Sequence, residues 1–367
     1  MGGKIGAHVA ATTPNAAHTH ARRAGAEVSE INWVGRKAMG KVGIIANPAA
    51  GKDIRRLVAY AGVTSNRDKI NLLKRIILGI DSTGVGEIVI APDYCGLGEA
   101  ALAGLPADGL RAQTSLLEMP LTATHTDSTA AMALMRKRGV DCVVTLGGDG
   151  TNRAVVKGDR SIPLVPVSTG TNNVFPLMVE ATTAGVAAGI IAMGAVDVEE
   201  VSSVHKRLLL LEDGAERDMA LIDAVVLDQP FVGSKAVWDM SEVREIVCTR
   251  AEPGTMGLSS IGGCLRAVGP DDDCGLHLRI GSGGERVRAP VLPGVVGEIG
   301  VEACAVVALG EEVAVETTPC LIALDGEREA HVAAGQDVRL RLQRDGPRVI
   351  DVVKTVRQAA AKGFFRR

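Results

Sequence analysis

The stretch Cys142-Val143-Val144-Thr145-Leu146-Gly147-Gly148-Asp149-Gly150-Thr151-Asn152 carries most of what this chain says about its fold. A short apolar run, suited to a buried strand, passes straight into a glycine cluster. Open α/β sheets bind their ligands at such carboxyl ends. Glycines let backbone N–H groups approach anion oxygens. An Asp inside an anion cradle is costly unless it holds Mg²⁺ or takes a proton from an attacking hydroxyl, and phosphoryl transfer needs both. Taken alone, the cluster also reads as a tight strand-to-helix turn in which Asp149 only caps.

Two further turns occupy comparable places. Val42-Gly43-Ile44-Ile45-Ala46 ends in Asn47-Pro48-Ala49-Ala50-Gly51-Lys52. Ile162-Pro163-Leu164-Val165-Pro166-Val167, a strand weakened by its prolines, ends in Ser168-Thr169-Gly170-Thr171-Asn172-Asn173. The first turn is not a Walker A loop, which needs Gly at Ala46 and Ser or Thr at Asp53. Lys52 reads either as a point charge for a phosphate or as an ordinary surface lysine. Polar, glycine-bearing turns at three strand ends point to a shared phosphate site. Residues 87–91 read as another strand. Helical patterns cover 67–80, 129–138 (with Asp127-Ser128 as N-cap) and 181–193. The alternation predicts a Rossmann-like α/β N-terminal domain with a mostly parallel sheet.

Beyond residue 200 the texture changes. Apolar runs at 207–211, 219–227, 276–280, 286–292, 303–309, 313–317, 321–324 and 338–342 are separated by Gly, Asp and Pro turns. They predict an all-β, sandwich-like C-terminal domain. The expected division is a mobile leader at 1–37, an ATP-phosphate-binding domain at 38–180, an acceptor-binding β-sandwich at 195–345 and a helical tail at 346–367.

Bulk properties remove other classes. The 40 basic and 43 acidic side chains nearly cancel and aromatics are 2% of residues, so no nucleic-acid footprint or base-stacking platform is present. The 7 cysteines are scattered without a C-x-x-C pair, which predicts reduced, mostly buried thiols. His125, His205 and His277 stand in separate segments without a visible carboxylate or Cys partner, and read as structural or surface residues. No signal-like N-terminus is visible, and the near-apolar stretch 184–196 is too short to span a bilayer. A cytoplasmic protein without stable membrane association is expected. Lys362-Gly363-Phe364-Phe365-Arg366-Arg367, basic and aromatic, reads either as a contact for an anionic surface, too short to anchor the protein, or as the more ordinary frayed tail.

GGDGT at 147–151, the NPxxGK turn at 47–52 and the GTNN turn at 170–173 together resemble the superfamily of NAD kinases and diacylglycerol- or sphingosine-type lipid kinases. The stretch VSTGTNNVFP at 167–176 is most similar to its acetoin-catabolism protein X branch. The resemblance implies an NAD kinase-like two-domain fold with the active site in the cleft between the domains, ATP and Mg²⁺ as cofactors, and a homo-oligomer. It implies Asp149 as the base or positioning group for the acceptor hydroxyl. Asn47, Lys52, Gly147, Gly148, Gly150, Thr151, Thr169, Thr171, Asn172 and Asn173 would hold the phosphates. Leu324-Asp325-Gly326-Glu327 matches the family's C-terminal D-G-E turn, although Asp325-Gly326 alone is also a plain hairpin turn. Asp223, Thr255, Asp325 and Glu327 would serve or support the acceptor; direct metal ligands are left unassigned.

The sequence departs from the resemblance at the acceptor side. Where NAD kinases carry an Asn-Glu pair, Ile222-Asp223 stands, and Gly257 occupies the place of a Tyr. The lipid-kinase pattern departs too, at Asn152-Arg153 and Asn173. The implied reaction is phosphorylation of NAD to NADP. The alternatives are a kinase for a lipid or another small alcohol, and a nucleotide-binding accessory or sensor protein with little turnover.

Overall fold

Strands that are apolar on both faces need cover on both sides, and the first half of the chain supplies it with helices. The computed structural model describes residues 39–51, 60, 62–106, 109–170, 173–228 and 240–366. In it β1 (Lys41–Ala46), β2 (Glu87–Ile90), β3 (Gln113–Leu116), β4 (Cys142–Gly147) and β5 (Leu164–Ser168) pair in parallel, in the order β3-β2-β1-β4-β5. They alternate with α1 (Asn66–Ser82), α2 (Leu97–Ala103), α3 (Thr126–Lys137) and α4 (Asp149–Gly158), and α5 (Ala181–Ala192) follows. Ile44, Ile88, Val144 and Val165 pack under α1, α2 and α5. Their neighbours Ile45, Val89, Val143 and Leu164 pack under α3 and α4. The winding reverses between β1 and β4, so the crevice of this sheet opens at their carboxyl ends.

The Gly- and Ala-rich α5 owes its composition to contact with α1. A Cβ on Gly185 would lie 2.2 Å from the Ile76 carbonyl oxygen, and one on Gly79 would lie 2.3 Å from that of Thr182. Only small residues permit helices to meet this closely.

The second half is antiparallel. Its strands begin with β6 (Ser202–Val204), β7 (Arg207–Glu212), β8 (Ala215–Ala220), β9 (Asp223–Leu227) and β10 (Val243–Cys248). After α6 (Ser259–Leu265) come β11 (Cys274–Leu292), β12 (Val295–Ala308) and β13 (Glu312–Ala314). β14 (Cys320–Leu324), β15 (Glu327–Val332) and β16 (Val338–Gln343) complete two sheets, β12-β11-β10-β9-β14-β15 and β13-β16-β7-β8. Leu208, Leu210, Val226, Ile322, Leu324, Leu340 and Leu342 form the core between them. The intervening Leu209 and Leu211 pack with Met132, Met135 and Val155 of the α/β layer. β7 is apolar at successive positions because it is buried on both faces.

The chain thus has an N-terminal α/β domain on a mostly parallel sheet, followed by antiparallel β-sheets, with several departures in detail. The segment expected as a separate tail returns to the first sheet: β17 (Arg348–Ile350) pairs with β5 on one side and β6 on the other, and α7 (Val352–Ala361) packs on α5. Phe364 packs into the same core rather than fraying. α3 starts at Thr126, and Asp127 binds backward to the N–H groups of Thr122 and Ala123 instead of capping. The 219–227 run bends at Leu221-Ile222 and serves two sheets, whereas 276–280 and 286–292 are parts of the single long β11. Pro166 is tolerated in β5 because its carbonyl faces Leu177, on the side where β17 has already ended.

All seven cysteines are free, but only Cys142, Cys248 and Cys320 are buried, fewer than expected. His277 does have a carboxylate partner, with its Nε2 2.9 Å from Glu245 Oε2 on the neighbouring strand. Residues 1–37, expected as a leader, lie outside the described residues. Among the described residues no helix is long and apolar enough to cross a membrane.

Candidate active site

Three turns meet at the crevice between β1 and β4. The Asn47 N–H donates to the Leu146 carbonyl (3.0 Å), tying the first turn to the strand that carries the glycine cluster. Asn47 Nδ2 donates to Thr151 Oγ1 (2.8 Å), while Asn47 Oδ1 accepts the Ala49 N–H (2.8 Å). The Thr169 N–H donates to the Gly147 carbonyl (3.3 Å). Gly51, at φ +73°, lies so close to Thr169 that a Cβ would sit 2.7 Å from its carbonyl oxygen. Lys69 on α1 underlies the first turn. It is fully buried, and its Nζ donates to the carbonyls of Asn47, Pro48 and Ala50 at 3.1, 2.7 and 2.7 Å.

Asp149 is the first residue of α4, yet its carboxylate does not cap that helix. It turns away to accept the N–H groups of Val174 (3.1 Å) and Phe175 (2.8 Å). The first-turn N–H groups of Gly150 and Thr151 therefore meet no acceptor among the described residues and remain open to an external anion. Asn152, behind them, is structural. Thr145 Oγ1 donates to its Oδ1, and its Nδ2 donates to the Gly148 carbonyl.

The D-G-E turn lies beside this cluster. Asp325, at φ +52°, accepts the N–H groups of Leu221 (3.0 Å), Ile222 (2.7 Å) and Asp223 (3.3 Å), which also stitches β14 to the bend before β9. Burial and then the Asp325 charge raise the pKa of Asp149 to about 6, against the pull of the Phe175 and Val174 N–H groups and of Arg250. Burial likewise raises the pKa of Asp325, opposed first by Arg153. Arg153 Nε lies 3.8 Å from Asp325 Oδ2. Arg250 Nη2 donates to the Val174 carbonyl (2.6 Å), and its guanidinium lies over the Phe175 ring at 5.7 Å. The arrangement is two coupled carboxyl groups, each gripped by backbone N–H groups, with a buried arginine on either side.

Two cavities lie at this cluster, and Asp149 lines the smaller. One, of about 160 Å³, is bounded by Asn47, Gly148, Asp149, Gly150, Thr151 and Glu327, and continues into a cleft of about 320 Å³ beside Asp93, Tyr94 and His125. The other, of about 770 Å³, lies beyond Asn173 and is walled by Phe175, His205, Arg250 and Thr255. Asn173 borders both, with its Nδ2 donating to Ser168 Oγ (2.8 Å).

Asn47, Gly147, Gly148, Asp149, Gly150, Thr151, Thr169, Asn173, Asp325 and Glu327 are thus brought together. Thr169 Oγ1 is buried without a partner among the described residues. Thr255 stands apart on the large cavity, donating its hydroxyl to the Glu252 carbonyl (2.7 Å). Asp223 is buried and borders none of these cavities; its backbone serves the Asp325 turn. Lys52, Thr171 and Asn172 lie outside the described residues. Lys69 and Arg250 were not singled out from the sequence, and Arg153 only as a departure from the lipid-kinase pattern. Their partners lie 19 to 22, 66 and 76 residues away along the chain, so no local pattern marks them.

The open N–H groups of α4 and the small residues around them fit a nucleotide phosphate. A Cβ on Gly148 would lie 2.7 Å from Asn173 Oδ1, and one on Gly150 would lie 2.9 Å from Glu327 Oε1, so side chains there would fill the cradle. For a divalent cation the donor set is thin: among the described residues no cluster of three or more His, Cys, Asp or Glu is present. Glu327 is the carboxylate at the cleft that accepts no hydrogen bond from a described residue. A cation that is held mostly by phosphates and water suits such a site.

Family models match both halves of the chain. Residues 105–196 match the ATP-NAD kinase N-terminal domain, and residues 206–345 match the acetoin catabolism protein X C-terminal domain. Acetoin catabolism protein X of Cupriavidus necator is 34% identical over 359 residues, spanning 95% of this chain and 97% of its own. Among solved structures, a Bacillus anthracis str. Sterne protein described as a diacylglycerol kinase aligns over 85% of this chain and 97% of its own, at 15% identity and a TM-score of 0.44.

Proposed function

The chain belongs to the acetoin catabolism protein X family, and from that premise we propose that it is an ATP-dependent phosphotransferase acting on a hydroxyl group. The observation that carries this reading is Asp149. Its carboxylate lines the anion cradle and is held by the N–H groups of Val174 and Phe175, two residues that wall the large cavity, and its proton affinity is raised into the range a general base needs.

The ATP phosphates lie on the Gly150 and Thr151 N–H groups and the Thr151 hydroxyl, with the nucleoside in the cleft beside Tyr94. Mg²⁺, when bound, neutralises charge on the transferring phosphate, and Glu327 is the side chain placed to hold it or its waters. The acceptor oxygen forms the new bond to the γ-phosphorus, the bond to the β,γ-bridging oxygen breaks, ADP leaves, and the hydroxyl proton passes to Asp149. Positioning supplies most of the rate. Asp325 supports this by raising the proton affinity of Asp149, and Arg250 by fixing the Val174 peptide that orients it.

The match to the ATP-NAD kinase domain supports NAD as acceptor. A second reading, an acceptor other than NAD, is favoured by Asp223, whose position is buried and committed to the Asp325 turn. The test is a panel of alcohols, NAD among them, incubated with γ-labelled ATP and Mg²⁺. Label in NADP supports the first reading and label in another alcohol supports the second. Nucleotide binding without transfer to any acceptor would make the protein an accessory or sensor of acetoin catabolism.

A further inference from the structure

The 770 Å³ cavity has a chemistry of its own. Its mouth carries Leu177, Met178 and Val353, which are 55%, 80% and 63% exposed. Large aliphatic side chains gathered at the rim of one cavity are costly unless a ligand covers them. The inner wall offers little to a nucleobase. Phe175 is only 2% exposed, with Arg250 over its face and His205 edge-on at 5.5 Å. The Phe175 ring is thus already engaged by its neighbours.

The charge of the wall also argues against an anionic ligand. Arg250 is the single cation among its described lining residues, which also include Glu252, Asp271 and Asp351, with Arg344 and Lys206 behind His205. His205 is held neutral, with its pKa lowered to about 3 by burial and by Arg250, Arg344 and Lys206. A dinucleotide would bring its pyrophosphate charge into this surplus of carboxylates. Arg250 does keep one unused donor, since its buried Nε meets no acceptor among the described residues. A neutral oxygen on a ligand would satisfy it without adding charge.

We infer that this cavity binds the phosphate acceptor and selects a neutral aliphatic alcohol with a second oxygen close to its hydroxyl, in preference to a dinucleotide. The inference rests on the phosphotransfer proposed above. The aliphatic chain lies along Leu177, Met178 and Val353, and the second oxygen accepts from Arg250. The hydroxyl reaches Asp149 past Asn173, loses its proton there, and forms the new bond to the γ-phosphorus as ADP leaves.

The test is binding of 1,2-butanediol, 1,2-hexanediol and 1,2-octanediol to the full-length protein with ADP and Mg²⁺, measured by titration NMR or calorimetry. Each added methylene should tighten binding about fourfold, the worth of one buried CH₂. The exposed-site variants Met178→Asp and Val353→Asp should flatten that gradient and leave ADP affinity within twofold. A flat series in the wild-type protein, rim variants that bind like it, or NAD displacing the octanediol at lower concentration would each overturn the inference. In a parallel transfer assay, label in soluble diols marks a metabolite acceptor, and label confined to 1-octanoylglycerol in detergent micelles marks a lipid. A steep gradient without transfer to any alcohol would sink the phosphotransferase reading while leaving the ligand class of the cavity in place.

Discussion

Asp149 sits where a carboxylate is least comfortable, buried and beside a second buried carboxyl group. Its folded-state pKa of about 6 lies above the ordinary value of 3.8, so folding disfavours the ionised form. That cost is absent below the unfolded pKa, grows as pH rises, and is complete above about 6. Asp149→Asn keeps an oxygen to accept the Val174 and Phe175 N–H groups and removes the charge. The variant should therefore be the more stable protein at pH 7.5, by on the order of 2 kcal/mol, and should show no advantage at pH 4. Thermal melts at the two pH values check this. Equal stability at both would mean that the carboxylate is better compensated than the geometry indicates.

At the scale of elements, the first turn is held by a helix it does not touch in sequence. Lys69 supplies one buried cation to three carbonyls, which orders residues 47–50 so that Asn47 reaches Thr151. Lys69→Met would leave those carbonyls without a buried donor, a loss on the order of 3 kcal/mol. Its effect on function should be selective, with a KM for ATP raised at least tenfold and a smaller change in kcat. An unchanged KM would show that the turn holds its shape without the lysine. Neither Lys69 nor Arg250 announces its role locally, since a lysine or arginine in a periodic helix or strand reads as a solvated residue until the fold buries it. What was legible followed from local rules. β1, β2, β4 and β5 are apolar runs closed by turn residues, and the glycine cluster marks its own loop. β3 was missed because Gln113-Thr114-Ser115-Leu116 is a polar edge strand, and β17 because three residues carry no period. The Asp325 turn was legible as a motif, but its bonds to Leu221, Ile222 and Asp223 depend on a bend that the apolar run 219–227 conceals.

At the scale of the whole molecule, the C-terminal segment completes the first sheet. β17 stands between β5 and β6, and α7 covers α5, so the end of the chain completes the sheet that its beginning started. A chain shortened at residue 345 should lose its sharp thermal transition and expose apolar surface to a hydrophobic dye. Retention of the full-length Tm would contradict this role. The Asp325 turn of the β-layer lies against Asp149 of the α/β layer, which is how a phosphate cradle legible in the sequence acquires its second carboxyl group. The central claim is that this paired carboxyl site moves a phosphoryl group through Asp149. Its most direct test is the rate of γ-phosphate transfer from ATP to the best acceptor between pH 5 and 8, in the wild-type protein and Asp149→Asn. The expected result is a wild-type kcat/KM that rises through a midpoint near 6, and a variant about a hundredfold slower or more, without that limb. A variant within a few-fold of wild type, or a wild-type rate that falls as pH rises through 6, would contradict it.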